Sequence, residues 1–133
     1  MRIAGGKAKM GFNREEGSFL SIKVSTRQIG DVRVIDVAGR ITLGEGSIAL
    51  RDAVSGMIAQ SQKKILLNLG EVPYVDSSGI GELVSAYSSV LKSGGKLKLF
   101  NLTQRVKDLL RISRHDLLFE IHEEEAGAIQ SFA

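Results

Sequence analysis

Apolar residues in this chain recur at two spacings, and the spacing switches repeatedly between Phe19 and Phe132. Phe19-Leu20-Ser21-Ile22-Lys23-Val24 and Val32-Arg33-Val34-Ile35-Asp36-Val37 are rich in β-branched residues and alternate in polarity. They predict two adjacent antiparallel strands, turned by Arg27-Gln28-Ile29-Gly30-Asp31. From Ser47 to Ala59 the period lengthens, and Ile48 or Leu50 with Val54, Met57 and Ile58 give a helical face. Lys64-Ile65-Leu66-Leu67-Asn68-Leu69 reads as a buried strand, and Ile80, Leu83, Val84, Tyr87, Val90 and Leu91 then fall at helical spacing.

Ser93-Gly94-Gly95 stops that helix, and Leu97 and Leu99 alternate with Lys96, Lys98 and Phe100 in a further strand running to Leu102. Thr103 is placed to cap a short helix carrying Val106, Leu109 and Leu110. A brief strand over Leu117-Leu118-Phe119-Glu120-Ile121 precedes Glu123-Glu124-Glu125, whose charge suits the start of a last helix with Ala126, Ile129 and Phe132. Helices between the later strands require crossovers, so the predicted fold is α/β. Its sheet is mixed, with four or five strands, about four flanking helices and an antiparallel pair at the start. Spacing alone leaves open whether the helices share one face.

Composition changes this picture little. Apolar residues make up 43% of the 133 and aromatic residues only 5%, so the core is aliphatic. Without cysteine, disulfides and thiol chemistry are excluded, and two histidines make a zinc site improbable. The absence of a long uncharged apolar run argues against a membrane span, and a cytoplasmic location is expected. Net charge is +3, yet from Phe19 onward 14 basic residues face 13 acidic ones. A nearly neutral body is poor ground for direct nucleic-acid binding. The excess sits in residues 1–18, read as a basic arm preceding a domain of residues 19–133.

The candidate chemistry gathers in Val72-Pro73-Tyr74-Val75-Asp76-Ser77-Ser78-Gly79-Ile80-Gly81, where a strand turns into a helix. Asp76, Ser77 and Ser78 are all residue types that cap helices by accepting from free backbone N–H groups. The same free donors and the helix dipole tolerate a phosphate. A phosphate brings up to about two negative charges and three strong acceptors, so a serine placed there is suited to switch partner docking. Nucleophilic catalysis is weakly supported: Val75-Asp76-Ser77-Ser78-Gly79 is not a nucleophile elbow, and neither His115 nor His122 has a convincing catalytic setting. Asp36, Glu45, Asp76 and Glu82 give no warrant for a two-carboxylate site. The glycines of Gly39-Arg40-Ile41-Thr42-Leu43-Gly44-Glu45-Gly46 serve either close approach by a partner or the backbone's own dihedrals.

Tyr74-Val75-Asp76-Ser77-Ser78-Gly79-Ile80-Gly81 resembles the STAS domain of bacterial anti-sigma factor antagonists. The resemblance continues in Val34-Ile35-Asp36-Val37-Ala38-Gly39-Arg40-Ile41, in Gly94-Gly95-Lys96-Leu97-Lys98-Leu99 and in Val106-Lys107-Asp108-Leu109-Leu110, spanning about residues 19–132. It implies a STAS-like mixed sheet flanked by helices. It also implies a protein that is not an enzyme and holds no cofactor or metal: unphosphorylated, it binds an anti-sigma factor that is a serine kinase, and phosphorylation releases it. A separate serine phosphatase restores binding. The modified serine falls on Ser77, with Ser78 the less favoured acceptor. Partner contacts are expected at Asp76, Ser77, Ser78 and Gly79 and at Gly39, Arg40, Thr42 and Gly44. Two departures stand out: the Arg40–Gly46 loop lacks the family's aspartate-rich character, and the basic arm exceeds the minimal domain. A non-enzymatic scaffold or sensory module in a multiprotein signalling complex is the alternative, and a small serine hydrolase or phosphoesterase is a weaker one; weak self-association is a further expected contact.

Overall fold

β1 (Ile22–Ile29) and β2 (Val32–Gly39) pair antiparallel with Ile29 opposite Val32, so only Gly30 and Asp31 turn the chain. Gly30 has φ 61°, as the first position of a two-residue hairpin loop requires of a glycine. The turn is shorter than the predicted Arg27–Asp31 because Arg27 and Gln28 stay in the ladder, opposite Val34 and Arg33. The structure is a computed structural model and describes residues 22–133. The basic arm and the predicted strand start at Phe19 lie outside the described residues.

α1 (Glu45–Ala59) then carries the chain to β3 (Lys64–Glu71), α2 (Ser77–Lys92) to β4 (Lys96–Phe100), and α3 (Gln104–Ile112) to β5 (Ile121–His122), before the closing α4 (Glu125–Gln130). The spatial order of the strands is β1-β2-β3-β4-β5, and every pair after the first is parallel. A sheet that grows in one direction through crossovers of one hand places its crossover helices on one side. Accordingly, α1, α2 and α3 lie against one face. Leu50, Val54 and Met57 of α1, Leu83, Ala86 and Val90 of α2, and Val106 and Leu110 of α3 pack there with Ile35, Val37, Ile65, Leu67, Leu69, Leu97 and Leu99.

The opposite face is covered by α4, whose Ala128, with Phe132 just beyond it, meets Val32, Val34, Leu66 and Phe100. Thus, among the described residues, the helices divide three to one between the faces. The predicted strand over Leu117–Ile121 shrinks to Ile121 and His122, because the chain leaving α3 first turns through a Leu118 N–H to His115 carbonyl bond. It then buries Phe119, whose ring stands edge-on to Tyr87 at 5.6 Å. Among the described residues, no helix is long and apolar enough to cross a membrane.

Candidate functional site

The loops leaving the C-terminal ends of β2 and β3 are bonded to each other. Ile41 and Val75 form an isolated parallel bridge; the Ile41 N–H donates to the Tyr74 carbonyl at 3.1 Å and the Asp76 N–H to the Ile41 carbonyl at 3.3 Å. Two loops distant in sequence therefore behave as one surface. Close approach is possible because residue 79 is glycine: a Cβ there would lie 2.0 Å from the Ile41 carbonyl oxygen. At Gly46 likewise, a Cβ would lie 2.5 Å from the Arg40 carbonyl oxygen.

Of the three residues able to cap α2, Asp76 does so. Its Oδ1 accepts from the Gly79 N–H at 2.8 Å, and its Oδ2 accepts from the Leu43 N–H at 3.0 Å. One carboxylate thus ties the helix start to the β2–α1 loop, and both of its oxygens are occupied. Ser77 becomes the first helical residue and is exposed; Ser78 is half-buried. Neither hydroxyl has a hydrogen-bond partner among the described residues, whereas the Ser47 hydroxyl donates to the Thr42 carbonyl at 3.0 Å. Ser77 thus offers a free, solvent-facing hydroxyl among the unpaired N–H groups of a helix start.

Around it lie the other residues named from sequence. Arg40 is exposed, Thr42 and Gly39 are half-buried, and Gly44, with φ 91°, precedes the first residue of α1. The helix starts at Glu45, so the end of the predicted Gly39–Gly46 loop belongs to α1. Leu43 is 78% exposed and Ile48 47%, which gives this end of the sheet an apolar component beside Ser77. Arg51 of α1 pairs with Glu82 of α2 at 3.4 Å across the two helices that flank it.

Sequence reasoning passed over Tyr74 and Arg105. The Arg40 guanidinium lies 5.6 Å from the centroid of the Tyr74 ring and the Arg105 guanidinium 5.1 Å from it. Arg105 arrives from the first turn of α3, which Thr103 caps by accepting from the Val106 N–H at 3.3 Å, and the Thr103 hydroxyl donates to the Val72 carbonyl at 3.2 Å. A basic residue in the first turn of a helix, against the dipole, is a visible sequence signal. The two histidines are engaged apart from Ser77: His115 Nδ1 lies 2.9 Å from the Ser113 hydroxyl, and His122 Nε2 lies 2.7 Å from Glu120. No group of three His, Cys, Asp or Glu residues suited to a metal ion occurs among the described residues.

Comparison with known proteins agrees with this architecture. A family model described as the STAS domain matches residues 23–128. The anti-sigma-B factor antagonist of Bacillus subtilis is 28% identical over 111 residues, covering 84% of this chain and all of that protein. An anti-sigma factor antagonist from Mycobacterium paratuberculosis superposes with a TM-score of 0.75 at 20% identity, over 84% of this chain and 94% of the other. The phosphorylated form of the Bacillus cell-fate determinant SpoIIAA does so with a TM-score of 0.65 at 18% identity, over 84% of this chain and all of the other. At those identities the structural likenesses concern the fold.

Proposed function

The chain belongs to the STAS domain family, and from that premise we propose that it is an anti-sigma factor antagonist working by partner switching. Unphosphorylated, it binds an anti-sigma factor that is a serine kinase; phosphate placed on Ser77 by that kinase releases it, and a serine phosphatase resets it. It is a binding protein and carries out no chemistry of its own. ATP belongs to the kinase, and transcription is reached indirectly, through the sigma factor that the kinase would otherwise hold. The docking surface comprises Asp76, Ser77, Ser78 and Gly79 with Gly39, Arg40, Thr42 and Gly44 of the loop bonded to them.

The observation that carries this reading is the contrast between neighbours at the helix start. Asp76 spends both carboxylate oxygens on backbone N–H groups, whereas the hydroxyl of Ser77 is exposed and unbonded among the described residues. A kinase can therefore reach Ser77 without unfolding the turn. The added charge sits at the favourable end of the helix dipole, so the fold tolerates it. The contact surface does not: a dianion beside Asp76 and the exposed Leu43 adds repulsion and a desolvation cost to a complex that had buried a neutral hydroxyl.

The test is to incubate wild-type, Ser77→Ala and Ser78→Ala proteins with the cognate kinase and ATP, locate the phosphate by peptide mass spectrometry and compare affinities before and after. Ser77→Ala should keep its affinity and resist release, and Ser77→Asp should bind more weakly. Phosphate on Ser78 alone would move the acceptor by one residue. Stoichiometric phosphate on Ser77 with unchanged affinity would defeat the mechanism. A stable assembly containing no such kinase would favour a scaffold role.

A further inference from the structure

We infer that the cluster of Arg40, Tyr74 and Arg105 receives a carboxylate-bearing segment of the protein partner. The inference rests on reading this end of the sheet as the docking surface, and it adds the chemistry of what docks.

Three elements contribute one residue each. Arg40 comes from the loop after β2, Tyr74 from the loop after β3 and Arg105 from the start of α3, which follows β4. Both guanidiniums attend a single ring, at 5.6 and 5.1 Å from its centroid. Each cation is thus held at the same ring, and both add to the positive potential around Tyr74. The ring quadrupole attracts both guanidiniums and so favours their positions beside it.

An anion is the missing member. Arg27, Arg33, Arg51 and Arg111 each find an oxygen acceptor on another side chain, and Arg114, exposed and without one among the described residues, stands alone and over no aromatic ring. Arg40 and Arg105 are exposed and have no side-chain acceptor or ion-pair partner among the described residues. Arg105 also stands at the positive end of the α3 dipole, in a first turn with no acidic residue. Two cations and a helix start thus lie together with no ion-pair partner among the described residues. Guanidiniums held by an aromatic ring lose little freedom when a carboxylate approaches, and their flat forks match its two oxygens. The position suits a docking role, since Tyr74 precedes Asp76 by two residues and its carbonyl accepts from the Ile41 N–H that joins the two loops. The partner feature that fits is a short acidic run on a protein surface, reached as the partner covers Leu43 and Ser77.

The experiment has two arms. In the first, a hexaglutamate peptide is titrated into the full chain while the Nε–Hε resonances of all arginines are followed by NMR. Arg40 and Arg105, with the Tyr74 ring, should shift saturably and together, and the shifts should shrink as salt rises; exposed Arg114 serves as the internal control. Equal shifts on Arg114 would overturn the inference. So would shifts that appear at Arg40 and Arg105 on phosphorylation of Ser77 but not with peptide, because the cluster would then read the chain's own phosphate.

In the second arm, Arg40→Gln/Arg105→Gln is compared with wild type for binding to the cognate kinase. Its amide spectrum should be otherwise unchanged, its affinity should fall by about tenfold or more, and the salt dependence of binding should flatten. Normal switching at Ser77 with unchanged affinity and salt slope in the double variant would sink this inference and leave the partner-switch reading intact. Saturable peptide binding in a protein whose Ser77 no kinase modifies would do the reverse.

Discussion

The two faces of the sheet are held by different physics. The face beneath α1, α2 and α3 is a broad, mainly aliphatic layer in which Ile35, Ile65, Leu67 and Leu99 are fully buried, with polar contacts confined to its rim. Beneath α4 the apolar contact is small, and around it charged groups do the positioning. Arg27 donates from Nε and Nη2 to both oxygens of Asp36, at 2.6 and 2.9 Å, and reaches Glu125 at the start of α4 at 2.7 Å. Asn68 also donates to Asp36, at 2.8 Å. At the other end of α4, Lys98 is 6% exposed; its ammonium donates to the carbonyl and hydroxyl of Ser131 and pairs with Glu120 at 3.1 Å, lying 4.5 Å from the centre of the Phe132 ring. Hydrophobic burial is strong and non-directional, whereas hydrogen bonds to charged groups are directional and fix geometry. A six-residue helix, too short to be stable alone, is thus seated by what the broader face does not need.

On this division the heaviest loss comes from the aliphatic face. Leu67→Ala should cost about 2–5 kcal/mol in denaturant-unfolding experiments, through lost burial and a cavity that the layered helices cannot close. A cost under about 1 kcal/mol would mean that this face is looser than described. Gly79→Ala attacks the same layer at its rim, by pressing a methyl group onto the Ile41 carbonyl; about 3 kcal/mol is expected, with displaced amide resonances over Ile41–Leu43.

The charged face should respond more gently and more locally. Lys98→Met keeps the contact with Phe132 and removes the donors to Ser131, so about 1 kcal/mol is expected. Amide exchange should speed up in α4 and stay unchanged in α1 and α2. Loss of protection throughout the sheet would erase the distinction between the faces.

The smallest effect is a pH dependence. Hydrogen bonds from Arg27, assisted by Asn68 and opposed by burial, hold the Asp36 carboxyl below its ordinary value; His122 and then Lys98 do the same for Glu120. A carboxyl whose folded value is depressed contributes stability that is fully present above its unfolded value, near 4, and is lost as pH falls through the folded value. Wild type should therefore lose stability more steeply than Asp36→Asn below about pH 4, and the two should run parallel above pH 5. Because Arg27 is partly open to solvent, the difference should stay within about 1 kcal/mol. Parallel curves down to pH 2 would show that the Arg27–Asp36 pair contributes nothing.

The same contrast explains what was legible in the sequence. Period and caps are local, so the order of elements, the hairpin, the Thr103 cap and the strand-to-helix turn at Asp76 follow from neighbours in the chain. The placement of Gly39–Gly44 beside Ser77 follows from topology, since successive strand-to-helix loops gather at one end of a parallel sheet. The charged face was not legible. Lys98 alternates with Leu97 and Leu99 as a solvent-facing residue would, and only the arrival of α4 buries it. The pairing of Arg27 with Glu125 spans 98 positions. Leu117 and Leu118 carry strand-like composition, but anchoring of Phe119 against Tyr87 keeps them out of the ladder. Tyr74 between two arginines is likewise a product of three loops meeting, of which the sequence shows only Arg105 misplaced for its helix.

A sheet whose spatial order repeats its chain order also has a history written into it. Each strand leaving the ribosome finds its neighbour already made, and no pairing waits for residues still to be synthesised. The hairpin, α1 and β3 can assemble while α4 is untranslated, so the aliphatic layer precedes the charged clasp in time as well as in strength. Separations between paired strands stay short, the condition that favours rapid folding. Nascent chains arrested once Ser93 has cleared the ribosomal exit tunnel should already protect the amides of β2 and β3 from exchange. Absence of that protection would mean that the late elements complete the sheet rather than close over it.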